Sequence, residues 1–140
     1  MISKGLIEFV KNFEGLSCVP YVCPAGKCTV GYGHVLPSGE KTGVITPEAA
    51  ENFLVSDLKE AEKSLKGLLL TENQHDALCS LVFNIGRGQF ENSQMRRLLF
   101  QGDYVAAAGQ FPRWCFVNGR GSAGLLRRRI EEMKLFMQKE

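Results

Sequence analysis

The sequence predicts an α+β protein, with a small N-terminal β-hairpin lobe and a larger helical lobe joined by a long helix. Three observations carry that prediction. Apolar residues recur at helical spacing in SKGLIEFVKNFEG and again in the segments beyond about residue 46. Between them, the stretch from Glu14 to His34 (EGLSCVPYVCPAGKCTVGYGH) sets Tyr21, Val22, Thr29, Val30 and Tyr32, which favour strands, among Pro20, Pro24, Gly26, Gly31 and Gly33, which make tight turns. No comparable strand pattern follows, so the strands are segregated near the N-terminus.

At 140 residues the chain can bury one ordinary core, which implies a single domain over 1–140 with two lobes, the hairpin lobe at about 14–46. A hydrophobic fraction of 44% with 23% charged residues excludes a disordered or fibrous chain. No run reaches the ~18 apolar residues of a membrane span. Met1 to Phe13 carries Lys4, Glu8 and Lys11, so no signal peptide is predicted there. The odd count of five cysteines fits reduced thiols in a cytoplasm better than a disulfide scaffold. Charge is uneven: residues 1–86 carry a net −3 and residues 87–140 a net +5. A basic C-terminal part favours an anionic partner, whether nucleic acid, lipid headgroups or a cell-wall polymer.

In chain order, the first helix is predicted over Ser3 to Phe13, with Ser3 as N-cap and Glu14 at its end. A carboxylate there faces the negative end of the helix dipole, an unfavourable place unless its proton is used. Pro37 to Gly43 is turn-rich. Thr46, Pro47 and Glu48 are an N-cap, a first-turn proline and a first-turn acid, and they open the long helix, which runs to about Lys66. Thr71 and Gln74 form a capping box ahead of a helix apolar nearly all round, the centre of the helical lobe. Gly86 to Gly88 closes it. Two short helices follow, Ser93 to Phe100 and Asp103 to Gly109, then a turn at Pro112 and a flexible NGRGSAG run. Ser122 caps a last helix from Leu125 to about Gln138, with Leu125, Leu126, Ile130, Met133 and Phe136 inward and Arg127, Arg128, Glu131 and Glu132 mostly outward.

The helix-to-hairpin stretch admits three chemistries. A glycosidase needs an acid to protonate the leaving oxygen and a second group to activate water or attack directly. Glu14 can be the acid, but no Asp or Glu lies between it and Glu40, leaving Cys23 and Thr29 to stand in. Cys18, Cys23, Cys28 and His34 could hold zinc, although they lack a CxxC knuckle. Cys23 with His34 could form a nucleophile and base. The basic LLRRRIEE segment is either a solvated helix face or a phosphate contact.

Glu14-Gly15, then Tyr21, Gly26, Thr29 and GYGH resemble the active-site signature of the phage-type lysozymes, endolysins and muramidases of glycoside hydrolase family 24. In that signature the catalytic Glu is followed nine positions on by Asp or sometimes Cys, and six further by Thr, as Glu14, Cys23 and Thr29 are here. The resemblance continues through NQHDALCSLVFNIGRGQFENS, GDY, RW and GLLRRRIEEMKLF, nearly the whole chain. It implies a lysozyme-like fold whose cleft binds the glycan of peptidoglycan and hydrolyses the 1,4-β linkage between N-acetylmuramic acid and N-acetylglucosamine for host cell lysis. Glu14 would be the general acid and Thr29 would position water or the second catalytic group. Cys23 would take the place more often held by Asp, His34 would be a structural partner near the site, and Phe83 and Ser93 would line the sugar site. A free thiol titrates near ~8.5, so it is a poorer base at neutral pH than a carboxylate. The resemblance further implies no cofactor, no metal, no nucleic-acid partner, no stable membrane insertion, a monomer, and a holin for release from the producing cell's cytoplasm to the periplasmic wall. The alternative from another class is a catalytically weak peptidoglycan-binding homologue, against which the presence of both Glu14 and Thr29 argues.

Overall fold

A computed structural model of the chain describes residues 1–23, 26–37 and 42–139. The α+β class predicted from the sequence is the one observed. The turn expected at Pro24 and most of the connection expected over Pro37 to Gly43 lie outside the described residues. The chain divides into two compact units, Met1–Lys59 and Glu60–Glu140.

In the first unit, α1 (Lys4–Lys11) starts where Ser3 Oγ accepts the Leu6 N–H at 3.0 Å. Leu6 and Val10, one turn apart, are its buried face. Strands β1 (Ser17–Val22), β2 (Cys28–Gly31) and β3 (His34–Val35) form an antiparallel sheet in sequence order. The expected hairpin therefore has a third strand, because GYGH reverses the chain. Tyr21 pairs with Thr29, and Thr29 in turn with Val35, so Thr29 sits at the middle of the sheet. The β1–β2 register shifts between Ser17 and Tyr21, the interval holding Pro20, which has no N–H to give to a ladder.

Helix α2 (Pro47–Glu62) begins with Thr46 Oγ1 accepting the Ala49 N–H at 3.1 Å, and the division between the units falls within it. Ala50, Leu54 and Leu58 form its buried face in the first unit, alongside Val30 and Leu36. Gly31, at φ +69°, presses on it: a Cβ there would lie 3.3 Å from Ala50 Cβ and 3.4 Å from its Cα. A side chain at that position would clash and strain the backbone together.

In the second unit, α3 (Glu72–Ile85) opens with the full capping box, Gln74 N–H to Thr71 Oγ1 at 3.1 Å and Thr71 N–H to Gln74 Oε1 at 3.0 Å. Asp76 to Val82 is buried without a break, as expected of a central helix. The residues after Gly86 do more than end α3. They form α4 (Arg87–Glu91), pinned by Arg87, which reaches Glu60 at 2.9 Å, Ser64 at 3.0 Å and Glu91 at 3.1 Å. Then come α5 (Gln94–Phe100) and α6 (Tyr104–Ala108), capped by Ser93 and Asp103.

Two expectations in the second unit are corrected. NGRGSAG is not a flexible run. Asn118 (φ 50°) and Gly119 (φ 78°) make the two-residue turn of a hairpin between β4 (Phe116–Val117) and β5 (Arg120–Gly121), so the strands are not confined to the N-terminus. The second correction concerns α7 (Ala123–Met137), capped by Ser122, whose buried residues are Arg128, Arg129, Glu132 and Phe136, while Leu126 is exposed. Charge turns inward because it is compensated. Ser80 Oγ donates to Glu132 Oε2 at 2.5 Å, and Arg129 Nε lies 2.7 Å and Arg128 Nε 3.3 Å from the same carboxylate. Burial pushes the Glu132 carboxyl above the usual carboxylate range, against the pull of Arg129 and Arg128. Neither a solvated face nor a phosphate contact describes LLRRRIEE, since two of its three arginines are core residues.

Candidate functional site

The first unit brings Glu14, Cys23, Thr29 and His34 onto α1, the sheet and the turns between them. Glu14 follows α1 in a tight turn, its N–H still donating to Val10 O at 3.1 Å, so the end of the helix fixes where the side chain leaves the backbone. Its half-buried carboxylate lies against the turn between β2 and β3: a Cβ at Gly33 would stand 3.1 Å from Glu14 Oε1. Gly33 is at φ +80°, a conformation that other residues adopt at a cost. The second glycine of GYGH therefore turns the chain and leaves room for the carboxylate.

Thr29 is 3% exposed, and its hydroxyl donates to Lys27 O at 3.1 Å. That carbonyl also accepts the Cys23 N–H at 2.9 Å, while Cys23 O accepts the Gly26 N–H at 2.8 Å. One peptide oxygen thus fixes both the Thr29 side chain and the Cys23 backbone. With its hydrogen spent on Lys27, the Thr29 oxygen acts towards a further partner only as an acceptor.

His34 faces α2. Its Nδ1 donates to the Asp57 carboxylate at 2.9 Å, and its ring stacks on Phe53 with centroids 4.2 Å apart. Phe53 and Asp57 are four apart on a helix and so share a face. Behind the site, Lys11 hydrogen-bonds Glu51 of α2 and lies 5.3 Å from the centre of the Tyr32 ring in the GYGH turn. The bond to Glu51 holds the Lys11 ammonium above its ordinary pKa. Asp57, Glu51 and Lys11 escape a motif reading because their partners lie 23 and 40 residues away in sequence. Only the i,i+4 spacing of Phe53 and Asp57 hinted at a shared target.

In the second unit, Phe83 is half-buried on α3. Ser93 caps α5: its hydroxyl donates to Phe90 O at 2.6 Å and accepts the Arg96 N–H at 3.2 Å, leaving one lone pair. Asn84, Ile85, Gln89, Trp114, Phe116, Val117 and Leu125 line a groove of about 360 Å³. Aromatic faces beside carboxamides suit a polar ligand with apolar ring faces.

None of the five cysteines is in a disulfide. Among the described residues, Cys18, Cys23, Cys28 and His34 do not converge as metal ligands; the one group of three or more that does is Glu62, His75 and Cys79.

Residues 11–132 match the family model described as phage lysozyme. An endolysin of Acyrthosiphon pisum secondary endosymbiont phage 1 is 43% identical over 95% of this chain and 94% of its own length. An endolysin of Bacillus phage PZA is 38% identical over 96% of this chain, which spans 54% of that longer protein. Among solved structures, the muramidase domain of SpmX from Asticaccaulis excentricus superposes with a TM-score of 0.88 at 34% identity, covering 99% of both chains.

Proposed function

This chain belongs to the phage lysozyme family, and from that premise we propose how it acts and where. It is an endolysin-type muramidase, a glycoside hydrolase of bacterial peptidoglycan. We place its cut at the 1,4-β linkage between N-acetylmuramic acid and N-acetylglucosamine. The residues 1–140 act as one lysozyme-like domain, monomeric and without a cofactor.

The observation that carries the assignment of the acid is the Glu14 carboxylate set against Gly33, inside the stretch whose spacing matches the family signature. Glu14, protonated, gives its hydrogen to the glycosidic oxygen as the bond to the anomeric carbon breaks, so the leaving sugar departs as an alcohol. Water then forms the new bond to that carbon. Thr29 suits the holding of this water, because its oxygen accepts a hydrogen bond from the water and so turns a water lone pair outward. Cys23, whose backbone N–H bonds the same Lys27 carbonyl, takes up the water's proton in its thiolate form, so that it ends as the thiol while Glu14 ends as the carboxylate, and proton exchange with solvent restores both. Phe83 and Ser93 are assigned to the sugar: Phe83 offers an apolar ring, and Ser93 its remaining lone pair. His34 holds β3 to α2 through Asp57 and supports the turn that meets Glu14.

The enzyme is made in the cytoplasm of the producing bacterium and reaches the periplasmic wall when a holin opens the membrane. The test is clearance of outer-membrane-stripped Gram-negative cells by the wild type beside Glu14→Gln. Gln keeps the shape and cannot give up a proton, so the rate should fall by about 10²–10⁴ with the melting temperature preserved. A variant within a few-fold of wild type would remove Glu14 from the role of acid.

A further inference from the structure

We propose that Glu62, His75 and Cys79 form a binding site for one borderline divalent cation of the Zn2+ class, a site with no part in glycan cleavage. His75 and Cys79 are four apart on α3 and share a face, and Glu62 is the last residue of α2. One ligand atom from each lies within 4.8 Å of the other two. Thiolate, imidazole and carboxylate together are a donor set that suits zinc rather than magnesium or calcium.

The distances support the same assignment. Cys79 Sγ and His75 Nε2 are 3.5 Å apart. Two such ligands on a tetrahedral zinc, with bonds of about 2.3 and 2.05 Å, stand about 3.5 Å apart. That pair is already at metal-binding separation. Glu62 Oε2 is 2.6 Å from the same Nε2, a hydrogen bond. With a cation between them the two atoms need about 3.4 Å, so Glu62 Oε2 withdraws by about 0.8 Å on binding.

The outer partner is in place as well. His75 Nδ1 lies 2.9 Å from Asp76 Oδ1, the carboxylate–histidine pairing that fixes a ligating imidazole and leaves Nε2 for the metal. Cys79 is fully buried, whereas the side chains of His75 and Glu62 are 20% and 30% exposed, so the cation enters from the Glu62 side. Binding replaces the thiol proton of Cys79 and the proton shared between His75 Nε2 and Glu62, both released to solvent. Water takes the fourth position. The cation then ties the end of α2 to α3 within the second unit. A helical His-x-x-x-Cys pair with a third ligand thirteen residues upstream has no CxxC knuckle, the spacing by which a zinc site shows in a sequence.

The test is titration of the purified, reduced protein with Co2+ alone in chelator-free buffer. One equivalent should produce a thiolate-to-cobalt charge-transfer band and the visible bands of a tetrahedral site. Cys79→Ser should lose the charge-transfer band, while Cys23→Ser and Cys28→Ser retain it. Glu62→Gln, at a partly exposed position, should keep the band with affinity lowered about 10-fold or more, and Zn2+ should raise its melting temperature less than that of the wild type. Absence of the band, its survival in Cys79→Ser, its loss in Cys28→Ser, or equal cobalt affinity in Glu62→Gln would overturn the site. The last comparison decides the matter even if Cys79→Ser fails to fold.

Discussion

Cys23 stands where the family signature more often has Asp, and its backbone is fixed by the Lys27 carbonyl that also holds Thr29. If the thiol's task is to hold the attacking water and take its proton, a carboxylate performs it at neutral pH without activation. Cys23→Asp should therefore retain substantial lysis and Cys23→Ala should be much weaker in the same turbidity assay. Equal, full activity in Cys23→Ala would make the position structural and leave the chemistry to Glu14 and Thr29. Gly33 supports a sharper test of geometry. A methyl group there meets Glu14 Oε1 at 3.1 Å and sits on a left-handed backbone, a strain of about 1–2 kcal/mol. Gly33→Ala should lose a modest few degrees of melting temperature and a larger share of kcat, because the carboxylate is the atom that must move. Wild-type kcat in a destabilised Gly33→Ala would show that Glu14 tolerates displacement. The spacing of Glu14, Cys23 and Thr29, on which their proposed roles rest, is legible in the sequence because it lies within one short stretch. The clearance at Gly33 and the hold of Asp57 on His34 are not, since both depend on where the chain returns after a turn.

Element boundaries were readable wherever a side chain caps a helix. Ser3, Thr71, Ser93, Asp103 and Ser122 each accept the backbone N–H expected of an N-cap. The misreadings have two physical causes. The Phe116–Gly121 hairpin is too short to show alternation, and its one signal, Asn118-Gly119, stands in a run of small residues that reads equally well as a loop. For α7, hydrophobicity alone points to the wrong inner face. Its inner face is a compensated charge cluster, and the compensating groups come from Ser80 on another helix and from its own next turn. That cluster gives a prediction at this scale. Glu132→Ala leaves two buried guanidiniums facing each other without their carboxylate and should cost about 3–5 kcal/mol, whereas Arg127→Ala on the exposed side should stay within about 0.5 kcal/mol. Urea unfolding of the two variants measures both. A near-neutral Glu132→Ala would mean that water enters and solvates the arginines.

For the whole molecule, burial changes what the uneven charge means. Residues 87–140 hold a net +5, of which Arg128, Arg129 and Glu132 account for an internal +1. The remaining excess lies mostly on residues with solvent access, including Arg97, Arg120 and Arg127, and suits approach to an anionic wall polymer through long-range attraction. No helix among the described residues is long and apolar enough to cross a membrane, and α5 and α7 expose Arg97 and Arg127 as well as Phe100 and Leu126. By the proposed route, in which the enzyme is made in the cytoplasm and released by a holin, the membrane separates it from its substrate until the holin acts. Expression of this chain alone at ordinary levels should therefore leave the culture turbid while lytic activity accumulates in the cells, and co-expression of a holin, or addition of chloroform, should clear it within minutes. The Glu14→Gln variant under the same treatment should stay turbid, which separates wall hydrolysis from damage by membrane opening alone. Spontaneous clearing by the wild type without a holin, absent in Glu14→Gln, would show that the protein has its own route across the membrane and would overturn dependence on a partner for release.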